Sequence, residues 1–290
     1  MGLFHSHSST EYPRLNNGEP LQKVKKSQYI IHYLYGKFEP SILRLGDYLL
    51  KRFHKYKTSK PRKANRIRNL IKFLNNENLP RSLVITTHAA KNIIEHVLTA
   101  EGPKGARLAV GPCVCQTALH IKEEPNVKDM VILYGADIYL HLNRGYKIID
   151  LEEGKELLDE FHIAGLAPNL DYCMQSGKWV FVVCNCDSKI CVSYRGDEVI
   201  GDIMRKGPEI AQKEEFKCIG FEKCGNCIRR CVYGANSLEN GSVVYDPEKC
   251  KGCGLCVSTC LGDAKRMIKR ENYAYEHIVL SSLLLRDLYE

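Results

Sequence analysis

Residues 218–235 read CIGFEKCGNCIRRCVYGA and residues 250–264 read CKGCGLCVSTCLGDA. In the second run Cys250, Cys253, Cys256 and Cys260 are separated by two, two and three residues, the C-x2-C-x2-C-x3-C spacing that holds bacterial 4Fe–4S clusters. Short gaps let three thiolates converge from one tight loop, and the fourth ligand comes from elsewhere. In two-cluster modules the last cysteine of each run crosses to the other cluster. That rule assigns Cys218, Cys224, Cys227 and Cys260 to one cluster and Cys250, Cys253, Cys256 and Cys231 to the other. The runs form an internal repeat once Phe221, Glu222 and Lys223 are treated as an insertion. The alternatives are eight structural thiols or two zinc ribbons. Zinc sites, however, rarely combine C-x2-C-x2-C triplets with a helical three-residue gap.

The repeat resembles the bacterial two-cluster 4Fe–4S ferredoxins over about residues 216–270, and the resemblance implies that fold there. The proline that follows the fourth cysteine in that family is Val232 in one run and Leu261 in the other. Fourteen cysteines in 290 residues fall well below the density of a disulfide-stapled mini-domain, and a chain of this length buries a core without covalent help. Metal ligation is the better use for them. With neither a run of eighteen apolar residues nor a secretory leader, the expected location is cytoplasmic and no membrane span is expected.

Composition divides the chain into residues 1–80, a basic helical N-terminal region; 81–213, a cysteine-containing mixed α/β domain; 214–271, the ferredoxin module; and 272–290, a C-terminal helix. The fold class expected for the whole is α+β. Between Lys23 and Lys72 fifteen Lys or Arg stand against only Glu39 and Asp47, an excess of +13, so the rest of this +8 chain is −5. Ile42, Leu45, Leu49, Leu50 and Phe53 share one helical face, as do Ile67, Leu70, Ile71 and Leu74. Pro40 sits where a first-turn proline would, and Pro61 interrupts any longer helix. Clustered cations suit an acidic redox partner, with nucleic acid or an anionic membrane as the other polyanions; no aromatic platform reads bases.

In the middle region Thr86 or Thr87 caps a helix through Ala89, Ile93, Ile94, Val97 and Leu98, and Asp150 with Glu153 starts another that stops at Gly165. Strands are expected at Ala106–Val110, Met130–Tyr134, Tyr146–Ile149 and Trp179–Val183. The first and last deliver the chain to Cys113-Val114-Cys115 and Cys184-Asn185-Cys186, so both C-x-C pairs sit at strand ends. Together with Cys191 they offer ligands for a third metal centre, either another iron–sulfur cluster or zinc; Cys173 is a weaker candidate. The bland alternative is a set of reduced, buried thiols. Among the scattered histidines, His88 and His120 flank the first pair.

The segments GPCVCQTALH (111–120), ILYGADIYLHL (132–142), EEGKELLDEFHIAGLAPN (152–169) and VFVVCNCDSKICVSYRG (180–196) resemble a family of 4Fe–4S binding proteins of anaerobic bacteria and archaea. In that family a C-x-C-R and a CNC segment precede a two-cluster module, and the resemblance implies redox chemistry. The Arg of the first segment is Gln116 here. The expected function is therefore electron transfer through two 4Fe–4S clusters, with potentials of about −400 mV, relayed through a third centre to or from a redox partner protein. The alternatives are an oxidoreductase that reduces a small molecule at the middle site and a cluster-containing nucleic-acid- or partner-binding protein. Arg229, Arg230, Lys249 and Lys251 are the cations expected to favour cluster reduction, with the higher potential near Lys249 and Lys251. No acid–base or nucleophile constellation stands out.

Overall fold

The computed structural model describes residues 11–12, 22–23, 26–75, 81–99, 108–132, 134–172, 180–274 and 284–288. Cys173 and most of the expected C-terminal helix lie outside the described residues. The chain opens with a short ladder, β1 (Glu11–Tyr12) on β2 (Gln22–Lys23). Helices α1 (Lys26–Tyr56) and α2 (Pro61–Leu74) follow. Next come β3 (Arg81–Val84), α3 (Thr87–Thr99), β4 (Leu108–Pro112), α4 (Val114–Leu119), β5 (Val127–Ile132), α5 (Tyr134–His141) and β6 (Lys147–Ile149). The middle region closes with α6 (Leu151–Ile163), β7 (Ala167–Tyr172), β8 (Val180–Cys186), α7 (Val192–Ile200) and β9 (Met204–Arg205). The cysteine repeat holds β10 (Glu209–Lys213), α8 (Asn226–Arg229), β11 (Asn236–Glu239), β12 (Ser242–Tyr245) and β13 (Lys265–Lys269).

Seven strands form one sheet in the order β6-β4-β5-β8-β7-β3-β9. Every pairing is antiparallel except β3 with β9. The middle region is thus mixed helix and sheet, consistent with the expected α+β class, and its sheet is antiparallel in all but one pairing. Leu108, Ala109 and Val110 in β4 and Met130, Val131 and Ile132 in β5 are all fully buried, which requires cover on both faces. Helices α3 and α6 pack on each other at one face through Ile93, Ile94, Leu158 and Phe161; α5 lies on the other beneath α1. Thr86 caps α3 by accepting from Ala89 N at 3.2 Å, and Asp150 caps α6 by accepting from Glu153 N at 2.9 Å. Gly165, at φ +87°, closes α6. The chain end docks here too: Leu284 and Leu285 enter the core, and Asn92 Nδ2 donates to Leu284 O at 3.0 Å.

Helix α1 corrects two expectations. It runs through Pro40 rather than beginning there. Pro40 has no N–H for the carbonyl four residues back, which normally breaks a helix. That carbonyl, Gly36 O, instead accepts from Arg144 Nη1 at 2.6 Å, while Arg144 Nη2 donates to Lys37 O at 2.8 Å. The buried face also differs, because polar Glu39 and Asp47 face inward and leave Leu45 half exposed. Asp47 pairs with Arg195 of α7 at 2.9 Å and with Lys51 at 2.8 Å. Pro61 does start α2, at its first turn.

The region of the cysteine repeat has its own strands. β10 pairs with β13, and β11 with β12, in two antiparallel ladders. β10 precedes the boundary expected at 213, so the cysteine module takes in residues from Glu209 on.

Arg144→Ala strands Gly36 O, the carbonyl that Pro40 leaves without a helix N–H, and should cost about 1–3 kcal/mol of stability. In a Pro40→Ala background, where Gly36 O regains its N–H, the same change should cost less. Equal costs in denaturant unfolding of the two backgrounds would show that Arg144 does not serve the proline gap.

Candidate redox centres

Two hollows in the C-terminal module are each ringed by four cysteines. One is lined by Cys218, Cys224, Cys227 and Cys260, the other by Cys231, Cys250, Cys253 and Cys256. The fourth cysteine of each repeat thus lines the opposite hollow. The two fourth cysteines sit in matching surroundings: Ala235 N donates to Cys231 Sγ at 3.1 Å, and Ala264 N to Cys260 Sγ at 3.2 Å. N–H donors to sulfur favour the thiolate and a reduced cluster. Gly252, at φ +91°, could carry no side chain, because a Cβ there would strike Glu209 O of β10. All eight cysteines are free thiols. Spread rims around a hollow suit a four-iron cubane, whose ligands bind separate corners. The residues present fit the group.

Residues 243–260 match the 4Fe-4S binding domain family. This is an iron–sulfur protein. No curated protein and no solved structure matches the chain.

The cations of the iron–sulfur region also bond to groups other than sulfur. Arg229 binds Cys224 O and Asn226, Arg230 binds His162 O and Ile163 O, and Lys251 is neutralised by Asp197. Lys249 is exposed beside Asp246. Arg230 and Lys251 line the Cys250 hollow and Lys213 the Cys218 hollow, and a further cation, Lys265, is 4 % exposed and donates to Asn236 Oδ1 at 2.6 Å. Burial pushes the thiols of Cys227 in one ring and Cys256 in the other above their ordinary range, and the Lys265 charge pulls both back down. Sequence reading passed over Lys265 because it stands outside the cysteine runs, directly after the repeat's closing Ala264. The matching repeat position is Asn236, and that match was the available signal.

The middle-domain cysteines come together as well. Register places Asp129 opposite Cys184, and in the next row Val131, Val182, Asp171 and Ser82 lie side by side across β5, β8, β7 and β3. Alternation along β8 puts Cys184 and Cys186 on one face and Asn185 on the other, where Asn185 donates to Lys128 O at 2.9 Å. Cys113 and Cys191 take near-identical N-cap conformations, φ −55°, ψ 120° and φ −57°, ψ 121°, at the starts of α4 and α7. Val114 N anchors α4 by donating to Asp129 Oδ2 at 3.0 Å.

The result is a string of thiols. Cys184 and Cys186 sulfurs are 3.4 Å apart, as are those of Cys186 and Cys191. Cys115 bridges Cys191 to Cys113, and Cys184 Sγ lies 3.2 Å from Asp129 Oδ1. Hydrogen bonds from Cys115, Cys186 and the amides of Tyr194 and Ser193 hold the Cys191 thiol well below its ordinary range. Contacts to Cys113 and Cys191, together with burial, push Cys115 well above it.

All five thiols line a cavity of about 60 Å³, roofed by Tyr35, Glu39 and Leu43 of α1. Burial lifts Glu39 to about 7 against its bond from Tyr139, Asp129 to about 6, and Asp171 to about 8 against its bond from Ser82. Gln116, at the expected Arg position, donates to Glu123 O at 2.6 Å, away from the string. His88 binds Arg286 O at 2.7 Å, and His120 stands in a left-handed turn at the end of α4; neither lines the cavity.

Asp171 holds its proton to about 8, whereas an unfolded aspartate loses it near pH 4. The associated stability is complete below about pH 4 and is lost as pH rises toward the folded value. The melting temperature should therefore fall from pH 5 to pH 8, and Asp171→Asn should flatten that fall. An unchanged slope would show Asp171 ionised.

Proposed function

We propose that the protein is an electron-transfer protein with two 4Fe–4S clusters, one of which adjoins the five-thiol site of the middle domain and exchanges electrons with it. One observation carries this reading: Cys253 packs in the same core as Cys186 and Cys191, with Tyr194 and Tyr233 beside them. The two tyrosine rings are 5.5 Å apart between centroids. Cys231, Cys250, Cys253 and Cys256 would hold the inner cluster, and Cys218, Cys224, Cys227 and Cys260 the outer one. When bound, each supplies one-electron transfer. The inner ring is the more enclosed, with Cys250, Cys253 and Cys256 at 7–9 % exposure. The outer ring lies beside half-exposed Ile219 and well-exposed Leu261. A redox partner would engage there, and the inner ring faces the thiols. Lys265 lies between the rings and favours added charge on either side.

A second reading is supported by the cavity itself. Its buried acids and tyrosines could deliver protons to a small molecule reduced there, which would make the protein an oxidoreductase. A third metal centre would draw its ligands from Cys113, Cys115, Cys184, Cys186 and Cys191, all of which line that cavity. No helix among the described residues is long and apolar enough to cross a membrane.

Anaerobically purified protein should contain about eight iron and eight acid-labile sulfide per chain. About twelve of each, or one additional zinc, would establish a third metal centre, and fewer than about eight iron would sink the two-cluster reading. Cys253→Ala should lose the inner cluster and destabilise its neighbour, whereas Cys115→Ala should spare both. Lys265→Gln should lower both cluster potentials in a spectroscopic redox titration, because a buried cation that favours the reduced state is lost. Two unchanged potentials would refute that role.

A further inference from the structure

The structure assigns to Cys186 and Cys191 a buried dithiol–disulfide couple that takes up and returns electrons in pairs. This inference rests on the two-cluster reading above. The sulfurs of Cys186 and Cys191 are 3.4 Å apart, as are those of Cys184 and Cys186, and Cys115 is hydrogen-bonded to Cys191 and to Cys113. Thiols held in mutual contact have the arrangement that disulfide formation and exchange require.

Within the string, geometry selects the pair. Cys184 and Cys186 project in parallel from one face of β8, and a bond between them would bend the strand. Cys186 ends β8, and Cys191 caps α7 after the turn at residues 187–190. Closing their sulfurs from 3.4 Å to the bonded distance of about 2.05 Å needs only small rotations at two element ends. Tyr194 N, 3.4 Å from Cys191 Sγ, is placed to favour a thiolate there. Both residues are only 6–7 % exposed, so bulky external thiols are kept out.

Cys186 and Cys191 also share a core with Cys253. The reductive step breaks the Sγ–Sγ bond of the oxidised pair. Two electrons enter, one from each reduced 4Fe–4S cluster, and two protons from solvent complete the two thiols. Each cluster is oxidised by one electron. The reverse step re-forms the disulfide, releases both protons and returns one electron to each cluster. Two one-electron carriers thus match one two-electron couple, with no other reactant.

The test uses the full chain with its iron in place. Anaerobic protein is oxidised with a one-electron dye, denatured, alkylated and digested, and its cross-linked peptides are identified by mass. A Cys186–Cys191 cross-link is expected. Reductive titration of the oxidised protein should take up about four electrons per chain, against about two in Cys186→Ser and in Cys191→Ser with iron content unchanged. Uptake of about two electrons with Cys186 and Cys191 alkylated as free thiols would overturn the proposal, as would a stoichiometric metal that shields them. The cross-link survives as a readout if either variant fails to fold. A low iron count with the cross-link present would instead indict the two-cluster reading.

Discussion

The seam between the seven-stranded sheet and the cysteine module is closed largely by backbone. Gly207 N donates to Lys251 O at 2.9 Å, and Gly207 itself lies against Val84 O of β3 with no room for a side chain. Thr86, the cap of α3, donates to Glu209 Oε2 at 2.7 Å in a buried position, so one residue starts a helix and ties the two halves together. Buried hydrogen bonds of this kind are costly to leave half made. The seam therefore fixes a single docking position, and only in that position do Cys253, Cys186 and Cys191 share a core.

The same seam recruits polar groups that have no redox chemistry. His162 meets Thr87 Oγ1 at 2.9 Å on one ring nitrogen and Ser258 Oγ at 2.6 Å on the other. Arg230 caps the end of α6 through His162 O and Ile163 O. The basic N-terminal helices have a structural task of their own. Leu49, Leu50 and Ile71 pack on Val192 at the start of α7, and α1 roofs the thiol cavity.

Much of this was legible in the sequence. The cysteine spacing located the iron–sulfur region, the capping residues located α3 and α6, and the C-x-C pairs marked strand ends that the sheet brings together. The failures share a physical cause. β3 and β7 were missed because the cavity face carries Ser82, Asn169 and Asp171 where an ordinary strand would alternate apolar residues. Glu39 and Asp47 disguised the buried face of α1 in the same way. Pro40 misled because its remedy, Arg144, lies more than a hundred residues away, and pattern reading sees only neighbours. Lys265 escaped because its partner Asn236 belongs to the other copy of the repeat.

That lysine has a further consequence. A single ammonium group enclosed between two nearly equivalent rings cannot answer fully to both at once. Charge added at one ring would draw the shared field toward itself and leave the other ring less well served. Two sites of nearly the same chemistry would then fill one after the other, and a duplicated module would acquire an order of filling from one residue that broke its symmetry.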